Sequence, residues 1–149
     1  MTCPRCAYNP TSHSFEARDL IQGITYYYTA PARATYRIRT NEAYAEFKTH
    51  LDQARKSGRW AWIFDCSGMG MEHYATLNFL SNLVNTLIEE HDQALEDVII
   101  LHPSIIIRGA VMAMWPIMNA NLHRKIRFVD TKRELDLELL AKAYQRGHP

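Results

Sequence analysis

The stretch DVIILHPSIIIRGAVMAMWPIMNANLHRKIRFVDTKREL, residues 97–135, reads as strand, helix and strand. Residues 98–101 and 126–129 are short apolar runs, and a helix-length segment, 104–118, lies between them. Runs this short and this apolar, joined through a helix, are what parallel strands buried in a sheet require. A third run, WAWIF at 60–64, stands upstream, and the segment between it and residue 98 has helical spacing over about 72–90. That spacing places Leu77, Leu80, Val84, Leu87 and Ile88 on one side. The expectation is an α/β fold: a single-domain mixed sheet with parallel core strands at 60–64, 98–101 and 126–129, covered by helices and joined by right-handed crossovers. A last helix is expected over 131–146.

Further upstream the period changes. Residues 41–58 carry Ala43, Phe47, Leu51 and Ala54 at helical spacing, with Asn41 as the expected N-cap and Gly58 as the stop. Before them, ITYYYTAPARATYRIRT (24–40) is β-branched and aromatic but broken by Pro31, which predicts two short strands with a turn at 30–33. Residues 1–18, with Pro4 and Pro10, read as an irregular arm ahead of a domain over 19–149.

At 149 residues, 47% hydrophobic and 22% charged, the chain is one globular domain rather than a disordered or fibrous sequence. A net charge of +1 gives no basic field to attract nucleic acid, and none is expected as a partner. Three cysteines make no disulfide framework and fit a reducing compartment. The opening residues hold no apolar run suited to a secretory signal, and the run over 105–118 contains Arg108 and Pro116 and is too short to span a bilayer. A cytoplasmic location, with peripheral membrane contact as an option, follows as the expectation.

The motifs with residue types that carry chemistry are few. Cys3-Pro4-Arg5-Cys6 is spaced to bite one zinc ion, but a structural site needs four ligands. His13 and Cys66 are the only loose candidates to complete it, so no metal is expected and the arm reads as inert. Asp65-Cys66-Ser67-Gly68-Met69-Gly70 follows the first parallel strand, where open α/β sheets bind ligands, yet it lacks the lysine of a phosphate loop. Cys66 with His73 would need a third, orienting group to act as a nucleophile, and nothing supplies one. The chain is accordingly expected to be no enzyme and to need no cofactor. His102, after an apolar strand and before Pro103, reads as a buried histidine bonded to backbone rather than a catalytic one.

The segment after Pro103 is the most informative. It is apolar around nearly its whole circumference, with Arg108 its only charge, so it must be buried, face a partner, or close over an apolar ligand. Ile107, Val111, Met114 and Met118 form one stripe, and Ile105, Met112 and Trp115 lie away from it. Either stripe could face a cavity.

The order of these motifs resembles the C-terminal half of a CRAL-TRIO domain, the lipid-binding module of phosphatidylinositol transfer proteins, and within that superfamily it is most similar to the BCH type of Rho GTPase regulators. The positions that carry the resemblance are His102, Pro103, Arg108, Pro116, Lys125 and Ile126, followed by Phe128, Val129 and Leu135. Where relatives place an aromatic residue three after the proline, this chain has Ile106, and the Pro-Phe near the helix end is Pro116-Ile117. The resemblance implies that the helix over 104–118 gates an apolar cavity. Its ligand-lining candidates are Trp62 and Phe64 on the sheet, His102 at the strand end, and Ile106, Ile107, Val111, Met112, Met114, Trp115 and Met118 on the helix. Arg124, Lys125 and Arg127 are candidates for anionic headgroups at a membrane. The leading reading is a non-enzymatic binder of a lipid or other small hydrophobic molecule. The alternative is a BCH-type interaction scaffold, with a small GTPase or a second copy as partner.

Overall fold

A computed structural model describes residues 3–130. Its centre is a five-stranded sheet in the order β1-β2-β3-β4-β5: β1 Glu16–Ile21, β2 Ile24–Thr29, β3 Trp60–Asp65, β4 Leu95–Leu101 and β5 Ile126–Val129. β1 pairs antiparallel with β2, and every later pair is parallel, so the mixed sheet and its three parallel runs stand as the sequence suggested. The helices are α1 Pro4–Tyr8, α2 Asn41–Lys56, α3 Leu80–Glu90, α4 Ile105–Met114 and α5 Ala120–Lys125.

Because the parallel strands follow one another in space as in sequence, connections of one hand bring α2, α3 and α4 to the same face. Alternation along β3 then divides the strand. Trp60 and Trp62 join Phe47, Leu51, Val84, Leu87, Ile107 and Val111 under the helices, while Ala61 and Ile63 join Tyr26, Tyr28, Ile99 and Val129 on the other side. The helix expected over 131–146 lies outside the described residues.

Upstream of β3 the structure departs from the sequence expectations. The hairpin is β1–β2, turning at Gln22 and Gly23, both with positive φ (54° and 82°), the turn geometry whose twist suits a two-residue connection. Pro31–Arg33 forms a 3-10 turn, and no strand follows among residues 34–40. β1 leaves no mark in the sequence pattern, because Glu16, Arg18 and Asp19 face solvent on an edge strand, where charge deters further pairing and no apolar alternation forms. The cap of α2 is Thr40, whose Oγ1 accepts from Ala43 N at 3.1 Å, in place of the expected Asn41.

Within the arm expected over 1–18, the described residues 3–18 are not irregular. Cys3 caps α1, Ser12, His13 and Ser14 are buried, and β1 begins at Glu16. Ser14 adopts φ 49° and its Oγ accepts from Ala30 N at 2.9 Å, a turn that folds His13 inward against β2 and α2.

Candidate functional site

Between the helical face of the sheet and the helices lie two adjoining cavities of about 90 and 80 Å³. They share the walls Trp62, Phe64, Leu77, Leu80 and Leu83, so they are two lobes of one apolar space. Each is smaller than a cavity of roughly 150 Å³ that stays dry and admits benzene, and together they slightly exceed it. Trp62 Nε1 donates to Thr29 Oγ1 at 2.8 Å, which satisfies its one polar atom and leaves its ring as an apolar partition.

The first lobe opens toward α2 and the N-terminal segment. Tyr36, Ile38, Tyr44, Phe47 and His13 bound it, and Arg37 is the one lysine or arginine lining it among the described residues. Tyr44 reaches across to α3 through a 2.8 Å contact with Thr86 Oγ1. The second lobe lies under α4 and is lined by Val98, Ile100, Ile107, Val111, Met118 and Leu122 with the shared walls.

The structure sorts the sequence candidates into three groups. Trp62, Phe64, Ile107, Val111 and Met118 line the space. Met114 and Trp115 pack at the margin of the core, Trp115 stacked on His123 with ring centres 4.2 Å apart, and neither lines a lobe. Ile106 and Met112 lie with Ile105 on the outer side of α4, where Ile105 is 89% and Met112 53% exposed. His102 is half-buried at the end of β4 and lines neither lobe. Its φ is 52°, and its N donates to Val129 O at 2.8 Å. A left-handed residue without glycine's freedom marks the sharp exit from β4 into α4.

The basic segment is committed within the protein. Lys125 Nζ donates to Asp92 O at 2.6 Å, and burial lowers its pKa. Arg127 pairs with the buried Asp97 through both Nε and Nη2. Arg124 is the exposed member, bonded to Asn121 Oδ1 at 3.0 Å. Lys125 ends α5 and Arg127 stands in β5, so the two cations belong to different elements.

Phe47, Leu77 and Leu80 stand on the helical stripes the sequence marks as apolar, whereas Leu83, which also walls the space, lies off the marked stripe. Leu77 lies in Met71–Phe79, a 3-10 helix whose tighter turn displaces its side chains from an α-helical stripe. Tyr74 OH lies 3.2 Å from Ser104 Oγ, the cap of α4, and so links this segment to the neighbouring helix. Arg108 ties α4 to the end of β5 through Asp130 Oδ1 at 2.6 Å. Among the described residues, no helix is long and apolar enough to cross a membrane.

The N-terminal segment brings a further group together: Cys3, Cys6, His13 and His50. The expectation that nothing completes a four-ligand set with the C-x-x-C is thereby corrected, because α2 supplies His50 from far along the chain.

No curated protein matches the chain. Residues 28–145, running from β2 past the last described strand, match the family model of the CRAL/TRIO domain. The chain belongs to the CRAL/TRIO domain family.

Proposed function

We propose that this domain binds a lipid or another small hydrophobic molecule in the two-lobed cavity, without transforming it, and that α4 is the gate. The observation that carries the reading is the continuity of apolar walls from Phe47 to Met118 across the shared partition of Trp62 and Phe64. Each methylene taken up contributes about 0.8 kcal/mol, so a short chain gains affinity without polar chemistry. Arg37 at the first lobe suits a polar or anionic end of the ligand. Catalysis by Cys66 is disfavoured, since burial and the charge of Asp65 push its thiol up to about 12 and leave it protonated at neutral pH.

The gate reading has two supports. The inner side of α4 lines the second lobe, and the outer side carries Ile105, Ile106 and Met112 in solvent. A helix apolar on both sides loses little when it swings onto an apolar surface. Organic extraction of the purified protein followed by mass spectrometry, with saturable binding of a fluorescent acyl probe, tests the function. A bound apolar molecule, displaced when Leu83→Trp fills the partition, is expected. An empty extract together with no saturable probe binding defeats the reading.

A second reading is a BCH-like interaction module for a small GTPase or a second copy. The same outer side of α4 favours it, and native mass spectrometry that finds an empty, concentration-dependent dimer decides for it.

A further inference from the structure

The side chains of Cys3, Cys6, His13 and His50 converge in a manner that hydrogen bonding alone does not account for. His13 Nδ1 lies 3.7 Å from Cys3 Sγ, 3.2 Å from Cys6 Sγ and 2.9 Å from His50 Nε2, and Cys6 Sγ lies 3.5 Å from the same His50 nitrogen. A neutral ring nitrogen offers one proton or one lone pair, so His13 Nδ1 cannot serve three neighbours at once. A cation at their centre can serve all four.

The dimensions agree. Zinc bonds of about 2.3 Å to sulfur and 2.0–2.1 Å to nitrogen, in a tetrahedron, set ligand atoms about 3.3–3.8 Å apart. The four ligand atoms here lie within 4.8 Å of one another. Two thiols and two imidazoles are the soft and borderline donor set that selects zinc over calcium or magnesium.

Local structure explains why the residues meet. Cys3 caps α1 and Pro4 opens it, so Cys3 and Cys6 stand three apart on one face of a single turn, closed by Ala7 N donating to Cys3 O at 2.8 Å. The left-handed turn at Ser14 directs His13 toward them. His50 lies one turn beyond Phe47 on the buried side of α2. The remaining nitrogen of His13 supplies an independent observation. Nε2 is buried without a hydrogen-bond partner and lies 3.6 Å from Glu46 Oε1, which Arg5 holds in place. A histidine bound to metal through Nδ1 points its other N–H at a carboxylate in this way.

We propose that Cys3, Cys6, His13 and His50 form a Cys₂His₂ site for a zinc-class divalent cation that clasps the N-terminal segment to α2. The site is structural, with four protein ligands and no open position for substrate. It does not depend on the cavity holding a ligand.

Cobalt(II), a coloured stand-in for zinc, tests the proposal on the full chain under reducing conditions after chelator treatment. One equivalent should bind with the intense visible bands of tetrahedral cobalt and thiolate charge transfer, and zinc should displace it. Cys6→Ser should remove about half of the charge-transfer intensity, and His50→Gln should weaken binding at least about a hundredfold. Glu46→Gln should weaken it about tenfold, through the ring it orients. Cys66→Ser should leave the spectrum unchanged. Should Cys6→Ser or His50→Gln fail to fold, peptide mapping of the wild-type chain decides, because zinc should shield Cys3 and Cys6 from alkylation. Absence of stoichiometric binding, an octahedral spectrum, unshielded thiols, or charge transfer that disappears with Cys66 overturns the proposal.

Discussion

The two ends of the cavity are walled by different means. At the α2 end the contacts are directional: Phe15, Phe47, Trp60 and Trp62 meet at ring separations near 6 Å, Tyr44 bonds to Thr86, and Lys48 pairs with Glu90 at 2.8 Å. Four ligand-type side chains then join this end to the N-terminal segment. At the α4 end the wall is aliphatic, and Arg108 and Tyr74 tether the helix only at its edges. Aromatic edge-to-face contacts and hydrogen bonds fix one arrangement, whereas aliphatic burial is non-directional and tolerates sliding. The proposed gate at α4 and the proposed clasp at α2 match that difference.

The largest test of that difference is a pair of truncations. Phe47→Ala should cost about 3–5 kcal/mol, since it empties the centre of the ring cluster. Met118→Ala should cost about 2 kcal/mol, the low end for a buried methionine, because it removes a smaller, flexible side chain from a non-directional aliphatic wall. Urea denaturation of both variants measures the gap, and equal losses would erase the distinction between the two walls.

Arg127→Ala comes next, at about 1–3 kcal/mol, because it removes the guanidinium from Asp97, which is 3% exposed. This loss separates structure from membrane binding. If vesicle binding weakens while the unfolding midpoint is unchanged, the headgroup reading of Arg127 is restored.

How far the sequence discloses this arrangement depends on whether a contact is local. β3, β4 and β5 declare themselves because parallel strands under helices need short, largely apolar runs, and WAWIF, VIIL and IRFV provide them, the last with Arg127 as its one charge. β1 does not, since an exposed edge strand places no such demand on Glu16 or Arg18. The division of α4 into Ile107, Val111 and Met118 against Ile105 and Met112 follows from the 100° step, but which side is inward is settled only by the sheet beneath it. His50 shows the limit most clearly. Its partners are 37 and 44 residues away, and helical spacing marks it only as the next position on a core-facing turn. The part Leu77 plays in the cavity wall is hidden for another reason, a 3-10 helix over Met71–Phe79 where an α-helix is expected.

Acid should loosen the α2 end first. His91 is fully buried against Trp60, with neither ring nitrogen hydrogen-bonded among the described residues. Burial, with the nearby charge of Arg55, lowers its pKa from the ordinary 6.5. The unfolded chain then takes up a proton at a higher pH than the folded one. This contribution to stability is fully present above about pH 6.5 and is lost progressively as the pH falls below it. His91→Phe should flatten the fall in the urea midpoint between about pH 8 and pH 5. The slope will not vanish, because burial lowers His13 and His50 in the same direction. An unchanged slope would remove His91 from the account.

The smallest effects on stability should fall on α4 and should have opposite signs. Arg108→Ala cuts an exposed pair worth about 0.2–1 kcal/mol, so the fold should barely register it. Gly109→Ala should stabilise by about 0.4–1 kcal/mol, since a Cβ there meets nothing within 4 Å and alanine reduces the freedom of the unfolded chain. Their effects on motion should be larger than these figures suggest. Freeing the tether lowers the cost of lifting α4, whereas a stiffer helix must pivot as one body about His102. An acyl probe should therefore dissociate faster from Arg108→Ala than from the wild type, with little change in unfolding midpoint. Gly109→Ala should dissociate no faster, despite lying one residue away. The clasped end supplies the control: zinc removal should lower the midpoint without matching the rate change of Arg108→Ala. If the rate instead follows the state of Cys3, Cys6, His13 and His50 and ignores Arg108, the moving wall is α2 and the assignment of gate and clasp is reversed.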